Sequence, residues 1–240
     1  MKYNWNWGIL LTDPYFGWLV SGIEWTLIVS IIAWVIAFSV GSLVGVARTV
    51  DSMPVRAVAT AYVEFFRNIP LLVQMFLWFY VVPELVPQGL GHWMKRDMPF
   101  PEATSAILCL GTYTASRVAE QVRAGIESIP RGQRMAGLAM GLTVAQVYRY
   151  LLVPVGYRII VPPLTSEFLT IFKNSSLALT IGVGEVLMQA RQIENYTFQS
   201  FEAFTAATLI YVVVTLVVVF FMHKVEMKAR IPGYGVRKDV

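Results

Sequence analysis

The chain has 240 residues, of which 56% are hydrophobic and 14% are charged, and its formal net charge is +4. Soluble globular domains carry about 25% charged residues, so this composition excludes an ordinary soluble domain and indicates that lipid solvates much of the surface. The single cysteine, Cys109, excludes an intrachain disulfide and a cysteine-based metal cluster.

Five apolar segments are long enough to cross a bilayer, because about 20 apolar residues in a helix span about 30 Å of hydrocarbon. In chain order, the predicted spans are 18–47, 57–82, 103–122, 159–190 and 203–223. The sequence therefore predicts an all-α integral membrane protein with five transmembrane helices, in which residues 1–240 form a single transmembrane domain.

The basic residues are unevenly distributed between the predicted loops. The first loop, the third loop and the C-terminal tail together contain 13 lysines and arginines. The other side of the membrane has four, which are Lys2, Lys95, Arg96 and Arg191. Because positively charged loops stay in the cytoplasm, we expect the N-terminus outside and the C-terminus in the cytoplasm. Three tryptophans near the first span fit an interfacial aromatic belt, namely Trp5, Trp7 and Trp18.

The sequence has no pattern that indicates an enzyme. It contains neither a Walker A nucleotide-binding motif nor the zinc motif H-E-x-x-H. His92 and His223 lie far apart at predicted membrane edges, with no neighbours that suggest catalysis or metal binding. We therefore expect a protein that is not an enzyme and that binds no metal or cofactor itself. The absence of two related halves argues against a single-chain secondary transporter.

The segment RGQRMAGLAMGLTVAQVYRYLLVP, residues 131–154, is unlike the apolar runs on either side of it. Pro130 suits the first position of a helix, and Gly141 is placed to end that helix in the left-handed conformation. Thr143 and Gln146 have the spacing of a capping box, which predicts that a second helix starts there. Pro154 is expected to stop the second helix before the next span.

These two short helices each have a face suited to contact with another molecule. The first has small residues that let another backbone approach closely, namely Ala136, Gly137 and Ala139. The second has an apolar stripe at helical spacing, formed by Val144, Val147, Tyr148, Leu151 and Leu152. Such a helix can dock in a groove of a partner protein or lie on lipid headgroups, and periodicity alone leaves both interpretations open.

The same segment resembles the cytoplasmic loop of ABC-importer permeases, whose pattern is E-A-A, three residues, G, nine residues and I-x-L-P. The matching positions are Met135, Ala136, Gly137, Gly141, Leu151, Val153 and Pro154. Met135 replaces the glutamate and Gly137 the second alanine. The resemblance implies that loop 130–154, which also includes Leu142, Thr143 and Tyr148, is the coupling helix that docks in a groove of an ATPase subunit. It also implies the type I importer permease fold, which is called MetI-like.

Three longer motifs are similar to those of bacterial polar amino acid importer permeases: YVEFFRNIPLLVQMF (62–76), EQVRAGIESIPRGQ (120–133) and FKNSSLALTIG (172–182). The short stretches WNWGI, PRGQ, AMGLT and VPPLTSE resemble the permeases of glutamate/aspartate importers in particular. The resemblance implies an inner-membrane permease that moves polar amino acids by alternating access, with glutamate and aspartate as the expected substrates. The alternatives are glutamine, histidine or arginine as substrate, and, from another class, a membrane scaffold whose basic loops bind anionic lipid.

The resemblance also implies partners and a substrate path. The expected partners are a second, related permease chain that forms a heterodimer, two ATP-binding subunits that hold ATP and Mg, and a periplasmic amino acid-binding protein; no nucleic acid is expected. Polar residues inside predicted spans are candidates for the substrate path, because such residues are expensive in lipid. They are Glu64, Arg67, Asn68, Lys173, Asn174, Ser175 and Ser176.

A purely structural role is the alternative for each set of polar residues. Glu64 and Arg67 are three residues apart, so they share a helix face and are placed to pair with each other. Pro70 removes a backbone donor shortly after them and should break the span. The serines of the second set are equally suited to hydrogen bonds between helices.

Overall fold

The computed structural model describes residues 3–229. Lys2 and three basic residues of the predicted cytoplasmic tail, Arg230, Arg237 and Lys238, lie outside the described residues. Within residues 3–229 every regular element is helical, and no strand occurs there. The α-helices are α1 (Tyr15–Ala47), α2 (Met53–Asn68), α3 (Leu71–Phe76), α4 (Val82–Leu85), α5 (Gln88–Arg96), α6 (Pro101–Glu127), α7 (Arg131–Ala139), α8 (Val144–Val147), α9 (Val153–Asn174), α10 (Val186–Thr197) and α11 (Ser200–Ala229).

The chain divides into two compact units, and each contains segments from all along the sequence. Unit one consists of Met1–Val35, Ile69–Gly111 and Leu169–Val218. Unit two consists of Ile36–Asn68, Thr112–Phe168 and Val219–Val240.

The core of unit one lies around the start of α10. Val186, Ala190 and Ile193 follow each other at helical spacing, are fully buried, and pack with Leu19, Ala203 and Ala207. Glu185 caps this helix from a fully buried position, and its carboxylate accepts the N–H groups of Leu187 at 2.9 Å and Met188 at 2.8 Å. A buried carboxylate is tolerated there because it satisfies backbone donors that have no partner within the helix.

Unit two is held by close helix crossings at small residues. A Cβ atom added to Gly41 or Gly45 of α1 would lie 2.6 Å or 2.7 Å from the carbonyl oxygens of Ala115 and Ala119 in α6. Membrane helices pack in this way, because small residues let two backbones approach without a hydrophobic driving force between them. The glycines therefore fix which part of α1 meets α6.

Two helices among the described residues, α1 and α11, are individually long and apolar enough to span a membrane. A third candidate is the pair Met53–Asn68 and Leu71–Leu85, which passes the same test only if the two pieces form one broken span. The break is at the predicted position, since Pro70 has an extended backbone (φ −56°, ψ 136°) between the two helices. The total of five spans and the orientation of the termini remain predictions.

The predicted span 159–190 is not one continuous helix. Helix α9 ends at Asn174 and is followed by a 3-10 helix, Ser175–Ile181, and a left-handed residue, Gly182 (φ 96°). The hydroxyl groups of Ser175 and Ser176 donate to the carbonyl oxygens of Phe172 and Lys173, each at 2.7 Å. Such short-range bonds compete with the α-helical pattern and favour the tighter turn. The prediction of one span relied on the apolar composition of the segment, which does not reveal this break.

Pro154 does not stop the second loop helix, contrary to the prediction. Helix α8 continues through a π-helical turn, Tyr148–Leu152, directly into α9. The turn bonds the Val153 N–H to the Tyr148 carbonyl, five residues back, and this wider spacing accommodates a proline that cannot donate to the residue four positions earlier. The π-helical turn Leu77–Val81 likewise lies immediately before Val82 and Pro83, so both turns have the same sequence cause.

Candidate functional site

Loop 130–154 lies in unit two and begins with α7. Pro130 was predicted to be the first residue of this helix. It immediately precedes the helix instead, and Arg131 is the first helical residue. At its end Gly141 is left-handed (φ 89°), which confirms the prediction for this glycine. The N–H groups of Gly141 and Leu142 donate to the carbonyl oxygens of Leu138 (3.0 Å) and Gly137 (3.2 Å), which is the Schellman arrangement.

The predicted capping box is present at the start of α8. The Thr143 hydroxyl accepts the Gln146 N–H at 3.3 Å, and the Gln146 side-chain carbonyl accepts the Thr143 N–H at 2.8 Å. The turn between the two helices is therefore specified on both sides, by Gly141 before it and by Thr143 and Gln146 after it.

Two contacts join the loop to residues 49–51 of the same unit. The Tyr148 hydroxyl donates to the Thr49 carbonyl at 2.7 Å, and the Arg134 guanidinium lies 2.6 Å from the Asp51 carboxylate. Exposed ion pairs contribute little, so the tyrosine, whose hydrogen bond is partly buried, is the stronger of the two links.

Large apolar side chains, and not only small residues, are exposed on the surface of the loop. Gly137 is buried against Val147 of its own chain, where an added Cβ would lie 3.2 Å from the Val147 side chain. The close approach that Gly137 permits is therefore used within the loop, while Ala136 and Ala139 remain exposed. Beside them stand exposed apolar side chains: Met135 (68% exposed), Met140 (77%), Leu138, Val144 and Tyr150. Clustered exposed apolar side chains of this kind are typical of a docking surface.

The predicted pair of Glu64 and Arg67 is replaced by contacts with other residues. Asn68 donates to the Glu64 carboxylate at 3.3 Å, while the Arg67 guanidinium lies 3.6 Å from the carboxylate of Glu120 in α6. All three predicted residues are exposed on α2.

Glu120 is the centre of an ion cluster that was not predicted. Its carboxylate accepts hydrogen bonds from Arg48 at the end of α1 and from Arg123 one turn along α6, and Arg123 also pairs with Glu127. The i, i+3 and i, i+4 spacing of the α6 members was visible in the sequence, whereas the positions of Arg48 and Arg67 depend on how the helices pack. We call Arg48, Arg67, Glu120 and Arg123 the arginine cluster.

The second polar set, residues 173–176, lies in unit one. Lys173 is exposed, Asn174 and Ser176 are partly exposed, and Ser175 is fully buried. Both serine hydroxyls already donate to backbone carbonyls in the last turn of the preceding helix, α9, so their local role is to shape its end. Among the described residues no group of three or more histidine, cysteine, aspartate or glutamate side chains could hold a metal ion.

The sequence of the chain is similar to those of membrane transport proteins of known function. Residues 37–231 match the family model described as "Binding-protein-dependent transport system inner membrane component". The chain is 48% identical to the glutamate/aspartate import permease protein GltJ of Escherichia coli (strain K12), over 97% of the chain and 98% of that protein. It is 32% identical to the glutamate/aspartate import permease protein GltK of Escherichia coli O6:H1, over 89% of the chain and 93% of that protein.

Among solved structures, the crystal structure of an amino acid ABC transporter with histidines contains a similar chain. The TM-score is 0.79 at 27% identity, and the alignment covers 94% of this chain and 100% of that one.

Proposed function

The chain belongs to the family of binding-protein-dependent transport system inner membrane components, and from this premise we propose that it is the permease subunit of an importer for glutamate and aspartate. The observation that carries the choice of substrate is the 48% identity, over 97% of the chain, to a permease named for those two amino acids. The protein is a transport component and not an enzyme. Its fold is all-α and is that of type I ABC importer permeases.

We propose the following assembly and topology. The chain crosses the inner membrane several times, with its N-terminus outside and its C-terminus in the cytoplasm, and pairs with a second, related permease. The similarity to both GltJ and GltK, two permeases named for the same substrates, supports a heterodimer. Two ATPase subunits with ATP and Mg, and an external binding protein, complete the complex.

Loop 130–154 is proposed to dock in a groove of the ATPase subunit. The support is its exposed apolar surface together with the two contacts that tie it to residues 49–51, because a coupling element must transmit movement to the spans rather than bend. Closure of the ATPase subunits on ATP then moves this loop and shifts the permease between an inward-facing and an outward-facing state.

The proposed substrate path includes Glu64, Arg67 and Asn68 of α2 and the polar residues 173–176. The support is their chemistry: the exposed guanidinium and ammonium groups suit carboxylates, and exposed polar groups in a span require protein or water beside them. The serines are proposed to act mainly through the shape of the helix end.

Uptake into proteoliposomes tests the function. The chain is co-purified with its second permease and ATPase subunits and reconstituted with ATP inside and binding protein outside, and the entry of labelled glutamate, aspartate and glutamine is compared. We expect ATP-dependent uptake of glutamate and aspartate that exceeds glutamine uptake. Preferential uptake of glutamine would mean that the importer transports another polar amino acid. A complex that transports none of them, or a chain that purifies alone, would favour the scaffold alternative.

A further inference from the structure

Helix α5 (Gln88–Arg96) belongs to unit one and connects two candidate membrane spans. The broken span ends at Leu85, two residues before α5, and α6 begins at Pro101, four residues after it. Because one residue covers at most about 3.6 Å, the two ends of α5 stay within about 11 Å and about 18 Å of a span end. The covalent chain therefore keeps α5 close to the membrane surface.

A close backbone contact holds the middle of α5 against the end of the broken span. A Cβ atom added to Gly91 would lie 2.1 Å from the carbonyl oxygen of Pro83 in α4, so only glycine allows this approach. Gly91 and Pro83 are both buried. A helix of nine residues is about 14 Å long, so α5 is fixed at its centre as well as by its two connections.

The remaining surface of α5 is divided between apolar and polar side chains. Three apolar residues at helical spacing form one face: Leu90, Trp93 and Met94. Leu90 is 48% exposed and Trp93 is 45% exposed. Three exposed polar residues at the same spacing form the opposite face: Gln88, His92 and Lys95. Separate faces of this kind, with a tryptophan on the apolar one, are typical of a helix that lies in a membrane interface.

The charged groups around α5 balance each other. The Lys95 ammonium pairs with the Glu84 carboxylate, and the His92 Nδ1 atom lies 3.6 Å from the Asp97 carboxylate. With Arg96, two basic and two acidic side chains lie between residues 84 and 97. Attraction to anionic lipid requires a cluster of basic residues, which this segment lacks. Zwitterionic headgroups carry both signs and therefore suit the mixed charges.

We propose that α5 lies in the lipid interface, with its apolar face among the upper acyl chains and its polar face among zwitterionic phospholipid headgroups. The helix anchors this end of the broken span at a fixed depth, as interfacial tryptophans do. This inference rests on the membrane location in the proposed function and is independent of which amino acid is transported.

Depth measurements by spin labelling test the inference. The single cysteine, Cys109, is fully buried, so Cys109→Ala provides a background in which each label on this chain has one position. The labelled chain is assembled with cysteine-free partner subunits in vesicles of phosphatidylcholine and phosphatidylethanolamine. Collision rates with oxygen, which concentrates in lipid, and with a soluble nickel chelate then give the depth of the label.

The two faces of the helix provide the matched comparison. We expect a label at Leu90→Cys to lie about 5–10 Å below the headgroup boundary. A label at His92→Cys should be about 10 Å higher, across the width of the helix, and accessible to the nickel chelate. Trp93→Cys should agree with Leu90→Cys, and Gln88→Cys with His92→Cys, so the comparison survives if one variant does not fold.

Three results would overturn the inference. Equal access of the nickel chelate to positions 90 and 92 would place α5 in water. A label at position 90 that is shielded from both oxygen and nickel, with or without the binding protein, would mean that a protein covers the apolar face. Insertion that occurs only after phosphatidylglycerol is added would assign the polar face to anionic lipid.

The proposed function is tested separately, by uptake. A wild-type complex that imports no acidic amino acid overturns the proposed substrate and leaves the depth comparison valid. A complex that imports glutamate, with position 90 in water, overturns the inference alone.

Discussion

Gly141 shows how a single backbone conformation shapes the proposed coupling loop. Its φ of 89° lies in the left-handed region, where a residue with a Cβ atom costs roughly 1–2 kcal/mol, and a β-branched residue fits least well. Among the described residues, no atom beyond Gly141 and its two chain neighbours would lie within 4 Å of a Cβ added there, so the constraint is conformational and not steric. The turn that sets α7 against α8 thus depends on the absence of a side chain.

We therefore predict that Gly141→Val uncouples ATP hydrolysis from transport while the chain still inserts in the membrane. Gly132→Val is a matched control, since Gly132 also has open space around it but is an ordinary helical residue of α7. The measurement is the number of glutamate molecules imported per ATP hydrolysed in proteoliposomes. A normal ratio in Gly141→Val, or an equal loss in the control, would show that the left-handed turn has no role in coupling.

At the scale of the element, the hydrogen bond from the Tyr148 hydroxyl to the Thr49 carbonyl ties the loop helices to residues 49–51. A net contribution of about 1 kcal/mol is typical of such a hydrogen bond. Tyr148→Phe removes the hydroxyl and keeps the ring, so we predict faster amide hydrogen exchange in residues 131–147 and a lower coupling ratio.

Tyr150→Phe provides the comparison for this variant, because Tyr150 is two residues away, exposed, and its hydroxyl forms no hydrogen bond among the described residues. Its exchange rates should match those of the wild type. If the two variants behave alike, the contact with Thr49 does not stiffen the loop.

The elements that sequence reasoning predicted correctly are those whose cause is local. The glycine and the capping box of the loop, and the break at Pro70, each depend on residues within one turn of each other. Pro154 was misjudged because a π-helical turn accommodates it, and that alternative is not visible in a count of apolar residues. The arginine cluster could not be predicted, since Arg48 follows α1, Arg67 lies in α2 and Glu120 in α6, and they meet only through tertiary packing.

At the scale of the whole molecule, one chain leaves two surfaces without a suitable neighbour at their proposed positions. The exposed charged residues of α2, Arg56, Glu64 and Arg67, need water or protein beside them, and the apolar side chains of loop 130–154 would be exposed to solvent at the proposed cytoplasmic side. A second permease beside the first would enclose the first surface, and an ATPase subunit would cover the second. The chain therefore has the surfaces expected of a subunit rather than of an independent transporter.

Purification from native membranes in mild detergent tests this view directly. A tagged chain should bring down one related permease and two ATPase subunits, with the two permeases present in equal amounts. Replacing the exposed Met135 and Met140 with aspartate should remove the ATPase subunits and retain the second permease, because the added charges disturb the loop surface alone. Replacing the exposed Val58 of α2 with leucine is the control and should change nothing. Loss of both partners in the loop variant would mean that this surface supports the pairing of the permeases, and recovery of two copies of this chain would replace the heterodimer with a homodimer.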